Sequence, residues 1–197
     1  MLRETDVRKI KPAMSESKNI VLGVSGSIAA HKAIDLASQL TKEGHGVDVV
    51  LTRDAQEFVK SLPFRTLTRR PVVTSLYDED ETGVTHIRFA DNADLMLVAP
   101  ATANTIAKLA NGFADDALGC VALALNPGVP VLVAPAMNGK MWQHPATQTN
   151  VQMLRERGVE FIGPDEGMLS CGYEGVGRLW PVEGITDRTL ELLRGVE

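Results

Sequence analysis

The sequence predicts an α/β domain built on a parallel sheet with helices on both faces. Three observations carry that expectation. Short runs rich in Val, Ile and Leu recur along the chain, apolar throughout, as strands buried on both faces are. Segments with helical apolar spacing alternate with them. No internal repeat and no low-complexity linker interrupts the alternation, so nothing divides the domain.

The elements follow in order. NIVLGV, from Asn19, is the first strand. After the turn SGS comes a helix over IAAHKAIDLASQLTKEG. Its Ala29, Ala33, Leu36, Ala37 and Leu40 fall on one stripe, and Gly44 supplies the stop. GVDVVLT is the next strand. DAQEFV and PFRTLT read as short helices, the first opened by Asp54 as N-cap. Residues 71–90 are less regular and hold the acidic loop YDEDETG. ADLMLVAP is another buried strand, followed by helices over TANTIAKLANG and ADDALGCVALAL. VPVLVAP gives a strand, PATQTNVQMLRERG a helix ending at Gly158, VEFIGP a short strand, and a last helix starts near Pro181.

Composition narrows the function. The 197 residues, 44% hydrophobic, suffice for one substantial core. Residues 1–17 read as a disordered leader without the apolar segment of a secretory signal, and 18–197 as the domain. A net charge of −5 disfavours nucleic acid and anionic membranes, so a bound phosphate must be held locally by backbone amides and hydroxyls. No apolar run approaches the ~20 residues of a membrane helix. Two cysteines, Cys120 and Cys171, form no disulfide framework and no metal spacing, which points to a reducing, cytoplasmic setting.

Five stretches could carry chemistry. GVSGSIAA, residues 23–30, departs from the dinucleotide fingerprint: its glycines fall as GxxG, and Thr52 stands where a ribose-binding carboxylate is expected. The turn fits two readings equally, a tight strand-to-helix turn capped by Ser, or a terminal-phosphate site at a helix N-terminus that favours a mononucleotide over NAD. PATANTIAKLANG, residues 100–112, would by itself be a capped helix start. It should emerge on the same sheet edge as SGS, and its small side chains let a flat ligand approach the backbone. In VLVAPAMNGKMWQHPAT, residues 131–147, Pro135 and Pro145 bracket Met137, Asn138, Met141 and Trp142. A buried Asn138 could bond a small polar group without carrying charge, beside an apolar wall; a hydrophobic loop packed on a neighbouring subunit is the alternative. MLSCGYEGVGRL, residues 168–179, reads as a mobile flap in which Cys171 is a candidate reactive thiol, whereas Cys120 on an apolar helix reads as core. His86 in THIRFADNADL would, alone, be a structural histidine.

Together SGSIAAHK, THIRFAD, PATANTIAKLANGFADD, APAMNGKMW and SCGYEGVGR, in that order over roughly residues 18–180, resemble the homo-oligomeric flavin-containing cysteine decarboxylases. The resemblance implies a three-layer Rossmann-like, flavodoxin-like fold that binds FMN, assembled as homotrimers or a dodecamer with active sites at subunit contacts. It implies that Ser25, Gly26 and Ser27 hold the FMN phosphate with Thr52, Arg53 and Asp54. Thr102, Ala103, Asn104, Thr105 and Ala136 would line the flavin. His86 and Cys171 would be catalytic, with Asn138, Met137, Met141 and Trp142 at the substrate; no metal is implied.

The branch acting on 4'-phosphopantothenoylcysteine in coenzyme A biosynthesis matches best. Its reaction gives 4'-phosphopantetheine through a thioaldehyde and an ene-thiolate, with the flavin as electron sink. Alternatives are a decarboxylase of peptide C-terminal cysteines (lantibiotic type), a flavin prenyltransferase, and a non-catalytic relative that regulates phosphatases. A phosphopantothenate–cysteine ligase domain, fused or separate, is a further implied partner.

Overall fold

The computed structural model describes residues 17–77, 84–168, 172 and 174–195. Six strands, β1 (Asn19–Val24), β2 (Gly46–Leu51), β3 (Val72–Val73), β4 (Leu95–Ala101), β5 (Val131–Pro135) and β6 (Glu160–Phe161), form one sheet in the order β3-β2-β1-β4-β5-β6. Every neighbouring pair is parallel, as the alternating pattern requires. From β1 the chain winds outward to β3, then returns to β4 on the other side of β1. The switch in direction therefore lies between β1 and β4, where α/β sheets open a crevice at their carboxyl ends.

The period of two along each strand builds two cores. Ile20, Leu22 and Val24, with Leu95 and Leu97, face one side and pack with Leu36 and Leu40 of α1 (Lys32–Lys42), Phe64 of α2 (Ser61–Thr68) and Ile185 of α8 (Val182–Arg194). Val21, Met96 and Val98 face the other side. They pack with Phe89 of α3 (Thr85–Asp91), Ile106 of α4 (Ala103–Asn111), Leu118 of α5 (Ala117–Ala124) and Val151 of α7 (Pro145–Glu156). Gly23 lets α5 press onto the sheet: a methyl group there would collide with the Leu118 side chain. The expected stripe of α1 is buried, and Gly44 ends its turn at φ +95°.

Several expectations need correction. Asp54 is not the N-cap of its short 3-10 turn, Asp54–Glu57: Arg53 holds that position, and the Thr52 hydroxyl accepts the Ala55 N–H at 3.3 Å. The irregular stretch 71–90 contains β3 and α3; a two-residue strand is too short for periodicity to reveal. Five residues of the apolar loop form a helix, α6 (Gly139–Gln143). The stretch read as a flap contributes an antiparallel hairpin of β7 (Asp165–Met168) and β8 (Glu174–Arg178), held by backbone pairing that its glycines conceal from propensity. Ser17, assigned to the leader, donates its hydroxyl to the Gly44 carbonyl at 2.9 Å. Cys120 is half-buried rather than core. Among the described residues no helix is long and apolar enough to cross a membrane.

His45, buried in the α1–β2 connection, accepts the Lys18 N–H on its Nδ1 at 3.3 Å. Burial holds its imidazole below the ordinary value of 6.5, with Glu43 and Asp94 opposing. The unfolded chain therefore takes up this proton at higher pH than the folded one. The stability His45 contributes is present above pH 6.5 and is lost as the pH falls below it. Urea midpoints between pH 7.5 and 5 should decline in the native protein and decline less steeply in His45→Gln; equal slopes would refute the assignment.

Candidate active site

Three loops at the carboxyl ends of β1, β4 and β5 are stitched together. Ser25, 1% exposed, donates both its N–H (3.2 Å) and its hydroxyl (2.7 Å) to the Pro100 carbonyl, and its Oγ accepts the Thr102 N–H at 3.0 Å. These bonds span the crevice between β1 and β4. The Ser25 hydroxyl, expected to help hold the FMN phosphate, is bonded here to Pro100 and Thr102. Ser27, next but one, caps the following turn by accepting the Ala29 N–H at 3.3 Å. Between them, Gly26 lies so close to the turn after β2 that a methyl group would collide with Asp54 Cβ and sit 2.9 Å from its carbonyl carbon. Thr102 caps α4, accepting the Thr105 N–H at 3.2 Å. The Ala136 N–H reaches the Ala101 carbonyl at 3.0 Å, which joins the third loop.

The opposite wall comes from α6 and the hairpin. Asn138 is the N-cap of α6: its Oδ1 accepts the Lys140 N–H at 2.9 Å. It is half-buried, not buried as expected. The Met137 N–H bonds the Gly177 carbonyl at 3.0 Å, and a side chain at Gly177 would collide with the Met137 carbonyl. This close approach fixes β8 against the start of α6. Met141 and Met168 stand at the rim, 50% and 60% exposed.

A cleft of about 440 Å³ lies between these walls, within the usual size of small-ligand sites. Of the residues expected from sequence, Gly26, Ser27, Thr102, Ala136, Met137, Asn138 and Met141 line it. Ser25 stands behind the wall. Thr52, Arg53 and Asp54 form the turn that supports Gly26, and Ala103, Asn104 and Thr105 the first turn of α4; none of them lines the cleft. Trp142 packs against the core on the α7 side instead of walling the cleft. His86, on α3, does not line it either, and Cys171 lies outside the described residues.

His31, Lys32, Met168 and Arg178 line the cleft without having been singled out from sequence. Lys32 opens α1, outside the apolar stripe of that helix, and Arg178 closes β8, a strand that its glycines hide. Among the described residues no Asp or Glu lines the cleft. Arg178 lies 3.8 Å from the Asp165 carboxylate, a long ion pair. Elsewhere, burial and the carboxylates of Asp116 and Asp115 push the Cys120 thiol up, so it is a weak nucleophile at neutral pH. Among the described residues no cluster of three metal-ligating side chains occurs.

This geometry has known counterparts. Residues 8–194 match the family model "Flavoprotein". A probable phosphopantothenoylcysteine decarboxylase of Streptococcus mutans is 46% identical over 178 residues, covering 90% of this chain and 99% of that protein. The coenzyme A biosynthesis bifunctional protein CoaBC of Bacillus subtilis is 48% identical over 173 residues, 87% of this chain, which spans only 42% of that relative. Among solved structures, a PPC decarboxylase variant complexed with pantothenoylaminoethenethiol superposes with TM-score 0.81 at 29% identity, covering 91% of this chain and 100% of that one. The FMN-dependent cysteine decarboxylase SpaF gives TM-score 0.77 at 30% identity, over 91% and 99%.

Proposed function

The chain belongs to the flavoprotein family, and from that premise we propose that it decarboxylates 4'-phosphopantothenoylcysteine to 4'-phosphopantetheine, with FMN as the flavin. The observation that carries the reading is Asn138, an uncharged donor–acceptor held as a helix cap on the wall of a cleft whose other side is the Gly26–Ser27 turn. Identity of 46% along nearly the whole length of a relative named for this activity supports the same substrate.

The residues present fit a flavin mononucleotide. Gly26, Ser27, Thr102 and Ala136 are small, so a flat ring can lie close to the backbone, and the position of Gly26 leaves no room for a side chain. Thr52 in place of a ribose-binding carboxylate also favours a mononucleotide. Bound there, FMN supplies the two-electron sink that a cysteine carboxylate lacks.

The chain's own residues divide the remaining work. Asn138 orients the carboxylate without the attraction an arginine would add to the ground state. Met137 and Met141 form an apolar surface that keeps water from that carboxylate once the cleft is filled. His86 takes the proton from the substrate thiol, and Cys171 returns one to carbon late in the reaction. His86 lies off the cleft of its own chain, beside exposed Val84 and Ile87. A second copy packed on that apolar patch would bring its histidine to the site, so we expect a homo-oligomer of three or twelve chains when its mass is measured by light scattering. Full turnover by a monomer would overturn this. In bifunctional relatives the sequence beyond this segment would hold the phosphopantothenate–cysteine ligase.

Ser25 positions the cofactor without touching it, because it ties the two flavin-facing loops together. Ser25→Ala should weaken FMN and riboflavin by the same factor, about tenfold. A loss confined to FMN would mean that the hydroxyl meets the phosphate. The substrate assignment is tested by offering the FMN-loaded protein phosphopantothenoylcysteine and a cysteine-terminated peptide together. Preferential loss of CO₂ from the former is expected; preference for the peptide refutes the assignment.

A further inference from the structure

A hollow of about 510 Å³ lies at the amino edge of the sheet, the edge opposite the active cleft, lined by Ser61, Arg65, Arg69, Arg70, Pro71 and Val72. None of these residues lines the active cleft. Ser61, Arg65 and Arg69 recur every four residues, so α2 and its cap carry them on one face. Like charges at that spacing repel, and Arg70 adds a third cation. Among the described residues neither Arg65 nor Arg69 forms an ion pair, and no Asp or Glu lines the hollow. Arg70, by contrast, is anchored to the sheet. Its Nη1 donates to Asp48 at 3.0 Å and its Nη2 to the Oδ1 of Asn19, the first residue of β1, at 2.9 Å. Gly46 leaves room for that guanidinium, with which a methyl group would collide. Arg69 caps α2 at φ 57°, in the left-handed region, where it is the one non-glycine residue among those described. Glycine would hold that turn at lower cost. A long cation kept at a strained position points to work done by its side chain.

We infer that Arg65, Arg69 and Arg70, with the Ser61 hydroxyl, bind the diphosphate group of a small molecule at a site separate from the catalytic one. Guanidinium forks match phosphate oxygens two at a time, and the hydroxyl adds a further donor. Asp48 neutralises one of the three cations, which leaves more positive charge than a single carboxylate would balance and suits a diphosphate. Such an anion also removes the repulsion along α2. The hollow is larger than the group it would hold, and Pro71 and Val72 give it an apolar wall. A net charge of −5 over the whole chain repels long polyanions, while the local cluster draws a compact one. That balance favours a small molecule over an acidic protein segment or a nucleic acid. A free diphosphate and a nucleoside diphosphate carry the same group, and the test separates them.

FMN-loaded native protein, Arg65→Gln and Arg69→Gly are titrated by calorimetry with pyrophosphate and with ADP. Native protein should bind pyrophosphate, and each variant should bind it about tenfold more weakly with its flavin content unchanged. Arg69→Gly is informative because glycine takes φ 57° without strain, so the turn persists and only the cation is removed. Tighter binding of ADP than of pyrophosphate assigns a nucleotide as the source of the group; equal or weaker binding assigns the free diphosphate. Absence of binding by native protein, or an unchanged affinity in either variant, overturns the inference. Loss of flavin from either variant would assign the arginines to the cofactor and overturn it. Tighter binding of hexaglutamate or of a short oligonucleotide than of pyrophosphate would give the surface to a macromolecule and overturn it as well.

Discussion

Asn138→Asp should lose about a thousandfold or more in kcat/KM while folding normally and retaining FMN. The substitution is informative because the two roles of Asn138 separate. Its Oδ1 caps α6 through the Lys140 N–H at 2.9 Å, and an aspartate oxygen accepts that bond equally well. The local helix, the Met137–Gly177 bond and the cleft wall should therefore persist. What changes is the group offered to the substrate: an amide that can donate becomes a carboxylate that repels another carboxylate. Near-native turnover, or loss of flavin in parallel with activity, would show that Asn138 is only a cap.

Gly26→Ala should weaken FMN about ten- to a hundredfold, the second large effect. The new methyl group would overlap Asp54 Cβ and crowd the Asp54 carbonyl carbon at 2.9 Å and oxygen at 3.0 Å. A side-chain clash could relax by rotation, but a backbone clash moves the turn. The turn moved is the one that Ser27 caps and Ser25 ties to Thr102, so the donors meeting a phosphate lose their register. Asp54→Gly in the same protein removes the nearest atom and should restore part of the affinity. Native FMN binding by Gly26→Ala, or no rescue by the double variant, would place the cofactor elsewhere.

Much of this arrangement was legible in the sequence because it rests on periodic burial. The strands through Leu22, Leu97 and Val133 are apolar on both faces, and the stripe from Ala29 to Leu40 repeats at helical spacing; both patterns survive in a string of letters. The SGS and PATANT turns stood out because small and hydroxylated residues end such runs. The hairpin escaped because Gly167 and Gly175 pair through backbone alone, and Arg178 escaped with it. Ser25 was read for what its hydroxyl can do rather than for where it is: a serine 1% exposed spends its bonds on Pro100 and Thr102, a pairing 75 residues apart that no local pattern encodes. The distance of His86 from the cleft was hidden for the same reason, since it depends on where α3 packs.

The most direct test of the central claim uses phosphopantothenoylcysteine labelled in the cysteine carboxyl carbon, given anaerobically to FMN-loaded native protein. The expected result is labelled CO₂ released over many turnovers, an equal amount of phosphopantetheine by mass, and flavin that is oxidised at the end. Bound flavin with no labelled CO₂ would contradict it.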